Sequence, residues 1–362
     1  MNDISWISPI AGLLVGIVIG AVARRARFCT LAALERYLYA DESAGVRSWA
    51  LAATVAAAAT QAMAAFGLVD LSGAIYLTPS FGWASAILGG LMFGFGMALV
   101  GTCGFGALVR LGGGNLRAFV VLVILGLSAL AAQRGPIGHL RTWIVDDLAL
   151  DLSAAGDQSL GAIVSALLGM DARFVVAAVI VVAPLIWIFR DPEYRRRRDA
   201  IAGATLVGLA IATGWPLTYW IGQHAFEPVQ MEAGSFVAPV GDFIMHFATY
   251  TGELPRYGVG MVAGVALGAA LVAWRHHDVR WEACDDAREL SRHIGGAFLM
   301  GTGGVFALGC TVGQGISAAS LLAVSAPIVV ASIVVGARLG LAYLLEGSIR
   351  GALGRAARPA AE

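Results

Sequence analysis

The sequence contains no lysine, and charge of either sign is scarce. Its 24 basic residues, all arginine, are balanced by 24 acidic ones, so only 13% of the 362 residues are charged. A soluble domain carries about 25%. The net charge of zero argues against the basic character that nucleic-acid binding needs. Cysteine is scarce too. Cys29, Cys103, Cys284 and Cys310 are the only four, and three of them lie in or beside apolar, glycine-rich segments, which does not suit an extracellular disulfide framework. A secretory leader is also missing. Asp3 precedes the first apolar run, Trp6 to Ala23, and Arg24, Arg25 and Arg27 follow it, whereas a signal peptide carries its positive charge first. The six histidines (His139, His224, His246, His276, His277 and His293) show no ligand spacing, so neither a metal nor a cofactor is expected.

What the chain has in abundance is apolar surface. It is 58% hydrophobic with a mean hydropathy of +0.77, and apolar runs recur from end to end. A span needs about 20 mostly apolar residues. Nine candidates fit, at 6–23, 48–69, 84–100, 116–132, 173–189, 200–221, 257–274, 293–309 and 326–345, with half-length helices near 29–40, 104–111, 159–170 and 312–323. The expected fold is all-α, a single polytopic membrane domain over residues 1–362 with no appended soluble domain. Arginine placement orients it. With the N-terminus outside and the C-terminus cytoplasmic, nineteen arginines fall inside and four (Arg134, Arg141, Arg173 and Arg256) fall outside, a strong positive-inside bias.

An internal repeat is visible. Gly12, Gly16 and Gly20 recur 248 residues later as Gly260, Gly264 and Gly268. Gly89, Gly94, Gly96, Cys103 and Gly106 recur 207 residues later as Gly296, Gly301, Gly303, Cys310 and Gly313. The halves run approximately over 1–190 and 199–345, the first holding roughly one extra span. Small residues four apart permit close backbone contact between membrane helices.

Two segments of the repeat could carry chemistry: Gly101-Thr102-Cys103-Gly104-Phe105-Gly106 and Gly309-Cys310-Thr311-Val312-Gly313-Gln314-Gly315. Each ends an apolar run with glycine and precedes a short apolar stretch. Irregular backbone at membrane depth survives only when buried in protein or lining a cavity, and paired interruptions in two halves point to a transporter's binding site. Helix N-termini there would offer N–H groups to an anion without a fixed cation. A third cysteine element, Arg27-Phe28-Cys29-Thr30, closes the first span. Cys284, within the charged loop Trp281 to Asp286, reads as structural, and Glu35 as solvated.

Together these elements resemble the YeeE/YedE family of thiosulfate transporters. The resemblance rests on Arg27-Phe28-Cys29, the Gly101 to Gly106 element running on to Gly112-Gly113-Gly114-Asn115, the Gly309 to Gly315 element, and a central block, Ser235 to Asp242. It covers nearly the whole chain in order. It implies a nine-span, hourglass-shaped protein of the bacterial inner membrane with a pseudo-two-fold arrangement and short re-entrant helices. It implies no enzymatic activity. Thiosulfate would be passed along by three neutral thiols, Cys29, Cys103 and Cys310, with substrate-facing backbone or loop at Gly101, Thr102, Gly104, Phe105, Gly106, Gly309, Thr311, Val312, Gly313 and Gln314. A cytoplasmic sulfur-carrier protein of the TusA type would be a partner, beside membrane lipid.

The chemistry suits that assignment. Thiosulfate has hard oxygens and one soft terminal sulfur, and a thiol is a weak S–H donor matched to the latter. Two other classes remain open at this stage: a membrane thiol–disulfide oxidoreductase, which needs two cysteines within bonding reach, and a channel for a small solute in which the cysteines only pack.

Overall fold

The computed structural model describes residues 6–145, 148–225, 228–249, 254–284 and 286–348. Asp3, Glu227, Asp285 and the arginine tail from residue 350 lie outside them. The chain runs through α1 (Ile7–Ala26), α2 (Thr30–Tyr39) and α3 (Ala44–Ala65) to α4 (Trp83–Val100), the short α5 (Gly104–Gly112), α6 (Leu116–Arg134) and α7 (Pro136–Val145). It continues through α8 (Leu160–Leu168), α9 (Arg173–Phe189), α10 (Pro192–Arg196), α11 (Arg198–Ala212), α12 (Gly214–His224) and α13 (Ala238–Thr249). The last part holds α14 (Tyr257–Arg275), α15 (Ala287–Phe306), a π-helical turn Gly313–Ala318, and α16 (Ser325–Glu346). Apart from isolated bridges, the only sheet among the described residues pairs β1 (Ser80–Phe81) antiparallel to β2 (Leu150–Asp151).

Each of the nine expected spans is mostly helical, although 66–69 and 307–309 lie beyond their helices and 200–221 is divided between α11 and α12. Six stretches are long and apolar enough to cross a membrane by length and composition: Ile7–Tyr39, Trp83–Gly112, Leu116–Arg134, Arg198–His224, Tyr257–Arg275 and Ser325–Glu346. The other three fall short for visible reasons. α9 has only 17 residues, α3 carries Arg47, Ser48, Thr54, Thr60 and Gln61 among its apolar residues, and α15 has Arg288, Glu289 and Arg292 in its first turns. The expected half-length helices also form, as α2, α5, α8 and the turn after Cys310.

Glycine sets the packing. α1 lies along α14, and α4 lies between α15 and α16. A Cβ at Gly12, Gly16 or Gly20 would collide with the carbonyls of Tyr257, Met261 and Val265. One at Gly260, Gly264 or Gly268 would collide with those of Pro9, Leu13 and Ile17. The two sets of contacts are reciprocal at the 248-residue offset. On the other seam Gly89 meets Gly303 and Gly96 meets Gly296, reciprocal at the 207-residue offset. Such contacts bring backbones to the distance at which dispersion is largest.

Ion pairs sort the loops into two sets. Arg24–Asp278 (2.8 Å), Arg47–Asp191 (3.1 Å), Arg117–Glu289 (2.6 Å) and Arg197–Glu42 (2.7 Å) join segments that the arginine count puts on one side. Arg134–Asp242 (3.3 Å) joins segments assigned to the other. Exposed pairs contribute little energy, but a pair across the bilayer could not form at all, so they report which loops share a face.

Candidate functional site

Each of the three sequence-selected cysteines stands at the start of a short helix. Cys29 is the residue before α2 and has extended backbone. Cys103 N-caps α5. Cys310 opens the turn leading into Gly313–Ala318. At two of them sulfur takes the capping role usually played by a Ser or Asp oxygen. The Gly106 N–H donates to Cys103 Sγ at 3.4 Å, and the Gly313 N–H donates to Cys310 Sγ at 3.4 Å. A sulfur that accepts from a helix N-terminus keeps its own hydrogen free to donate. The helix partial charge favours electron-rich partners at that point. The amides expected to meet an anion directly are thus partly taken by the thiols.

The breaks before these cysteines share one geometry. α4 ends left-handed at Gly101 (φ 77°), and α15 is followed by a left-handed Leu308 (φ 54°), the position 207 residues on. Leucine adopts that conformation at a cost of about 1–2 kcal/mol, so packing must impose the break. Each interrupted helix leaves carbonyls without helical partners. Arg110 Nη2 donates to the Gly101 carbonyl at 2.9 Å. Gln314 Nε2 donates to the Ala307 carbonyl at 2.7 Å, while its Oε1 accepts from Ser325 Oγ at 3.2 Å. The side-chain amide of Gln314 thus braces the break.

The two capping thiols are buried. Cys103 and Cys310 are 0% and 1% exposed, and Cys103 lies within electrostatic range of both Cys29 and Cys310. Thr311 Oγ1 is buried without a well-formed hydrogen bond and is turned toward the Cys103 thiol. The central block seals this region. The Phe236 ring packs on Phe105 at 5.0 Å between centroids, and its carbonyl would lie 3.2 Å from a Cβ added at Gly104, a tight contact. Gly234 is held at both polar groups by Ser317 Oγ, at 3.0 and 2.7 Å. Trp49 ties the Cys29 side to the Cys310 side. Its Nε1 donates to Thr30 Oγ1 at 2.9 Å, and its ring fills the space over Gly315.

Cavities approach the cysteines from both loop sets. A cavity of about 390 Å³ reaches Gly309, next to Cys310, and is lined by Arg134, Arg141, Arg256, Glu232 and Asp242. A smaller one of about 90 Å³ is lined by Cys29 itself with Arg27, Arg36 and Arg197. A third, of about 240 Å³, reaches Thr102 past Arg110, Arg117 and Arg292. Arginine lines all three cavities, the one at Cys29 included, an arrangement that attracts an anion. Burial pushes the carboxyls of Glu232 and Asp242 above the usual carboxylate range, with Arg256 opposing the rise at both.

The convergence of Arg134, Arg141 and Arg256 was missed in the sequence, where they served only as topology markers. Their rarity on that side was the available signal. Glu232 gave none. Cys284 Sγ lies 3.9 Å from His293 Nδ1.

Comparison with known proteins agrees over most of the chain. A family model described as sulphur transport matches residues 25–339. The thiosulfate transporter TsuA of Escherichia coli (strain K12) is 24% identical over 319 residues, which is 85% of this chain and 86% of the relative. The thiosulfate transporter TsuA of Spirochaeta thermophila is 26% identical over 326 residues, 87% of this chain and 92% of the relative.

Proposed function

The chain belongs to the sulphur transport family, and on that premise we propose that it carries thiosulfate inward across the bacterial inner membrane, handing it along Cys310, Cys103 and Cys29. The carrying observation is the pair of buried N-cap thiols between two arginine-lined cavities. The relatives named as thiosulfate transporters support the choice of anion. In this reading the arginines of the larger cavity draw the dianion in, and the thiols receive it in turn. Each thiol offers its S–H to the soft sulfur, and no contact is strong enough to stop release. The inner cavity at Cys29 then delivers the anion to the cytoplasm, where a sulfur-carrier partner would receive it. The reading includes nine spans, a pseudo-two-fold repeat supported by the reciprocal glycine seams, an hourglass outline supported by the opposed cavities, and the N-terminus outside.

Two experiments test it. A bacterium lacking its own sulfate and thiosulfate uptake should grow on thiosulfate as sole sulfur source when it makes this protein, and should not without it. Equal growth in both strains would remove the function. For orientation, a periplasmic reporter should be inactive when fused after Glu362 and active when inserted at Gly156, an exposed loop position where nothing lies within 4 Å of an added Cβ. The reverse pattern would exchange the two sides.

A further inference from the structure

The cavity leading to Cys310 holds one group that does not belong in an anion funnel. Among the described residues that line it, Asp242 is neutralised by Arg134 at 3.3 Å. Glu232 forms no ion pair; its Oε1 accepts only the Gly258 N–H at 3.0 Å, at the start of α14. The side chain is half-buried and touches the cavity. When ionised, it sets a negative charge on the route of a dianion, and when protonated it becomes a neutral O–H donor there. We propose that Glu232 is the proton carrier of this transporter, taking up one proton from the outer cavity for each thiosulfate that passes to Cys310.

The proposal rests on the transport reading above. An inside-negative membrane potential opposes both charges of an entering dianion. A proton moving with it cancels one of them, so a site that binds proton and anion together meets a real requirement. The surroundings suit that role. Arg256 and Tyr257 reach toward Glu232 from α14, Asp242 from α13, and Tyr76 from the short 3-10 turn Ile75–Leu77. Arg134 and Arg141 line the same cavity from α6 and α7. The Tyr257 hydroxyl is buried with no hydrogen-bond partner. Burial dominates this set and pushes the Glu232 carboxyl up to about 7, against the lowering effect of the Gly258 N–H and Arg256. The sign follows: the proton is held below that pH and lost above it. An onward route is present. Tyr76 and Ser235 hydroxyls both crowd Gly313, and Tyr76 lies within electrostatic range of both Glu232 and Cys310. Hydroxyls and thiols can each give one proton and accept another, so a proton leaving Glu232 has a chain of carriers toward the centre.

The test uses full-length protein in liposomes containing a pH-sensitive dye, with radiolabelled thiosulfate outside. Wild type should acidify the interior as thiosulfate enters, and its uptake should fall about tenfold per pH unit above about pH 7, following the protonated fraction. Glu232→Gln keeps an acceptor for the Gly258 N–H. It should carry thiosulfate down its gradient with no pH dependence between about pH 6 and pH 8, without acidification, and without accumulation when a proton gradient is imposed. Wild-type thiosulfate flux without acidification, or a Glu232→Gln profile matching wild type, would overturn the proposal and leave the transport reading standing. No wild-type thiosulfate flux at all would overturn both.

Discussion

Replacing Cys103 or Cys310 by serine should cut thiosulfate uptake by about tenfold or more, a loss of about 1.4 kcal/mol from the stabilisation of the passing anion, while the folded protein stays at least as stable as wild type. The second half of that expectation follows from the capping geometry. Each sulfur accepts a helix N–H at 3.4 Å, and serine is among the preferred N-cap residues, so the hydroxyl should fill the capping role well. The first half follows from chemistry. A hydroxyl is shorter, prefers hard oxygen acceptors, and at the cap it is drawn toward the backbone and away from a soft sulfur. Stability and transport should therefore move apart, which separates a thiol's role in transport from a role in packing. Cys29→Ser should lower uptake as the other two do, whereas Cys284→Ser should leave it unchanged. A membrane oxidoreductase would fail at only two of the three relay positions, and a channel would tolerate all three. Intact-mass measurement of wild type after turnover with thiosulfate should show no persulfide or S-sulfonate. Around Cys103 and Cys310 the sequence offers glycine, threonine and apolar residues, and Arg110, seven residues after Cys103, is engaged with the Gly101 carbonyl and so is not free to hold a thiolate. A stoichiometric adduct that turns over during uptake would replace the relay by covalent sulfur transfer.

Gly264→Leu should be the most damaging single change to the fold. A Cβ at that position would overlap the Leu13 carbonyl and come within about 3 Å of Gly16 on the facing helix. Backbone cannot rotate out of the way as a side chain can, so the α1–α14 seam must open along its length. Overpacking of this kind costs about 3 kcal/mol or more. The expected readout is loss of the monodisperse peak when the protein is extracted in mild detergent, with a lowered thermal midpoint in whatever remains. Gly295→Ala is the matched control. It lies in α15 with nothing within 4 Å of an added Cβ, and alanine is the better helix former by about 1 kcal/mol, so stability should hold or rise. A Gly264→Leu protein as stable as wild type would mean that the two helices do not touch as described.

The membrane character, the helix positions and the placement of three cysteines at helix starts were legible in the sequence because each depends on local pattern. Apolar length decides which segments can span, and glycine beside cysteine at the end of an apolar run marks an interruption. Even the facing of α1 and α14 was foreshadowed by Gly12, Gly16 and Gly20 recurring as Gly260, Gly264 and Gly268. Other features were decided only by tertiary structure. The side chain of Gln314 braces a carbonyl that belongs to Ala307, seven residues back across a turn. Arg134, Arg141, Arg256 and Glu232 come from four separate segments and meet only because α6, α7 and α14 end around one cavity. Phe236 reaches the start of α5 from more than a hundred residues away. A one-dimensional pattern records how each residue sits on its own helix. Which helix ends converge is fixed by close packing between distant segments, and it is that convergence that places an unpaired carboxylate among arginines on the way to a thiol.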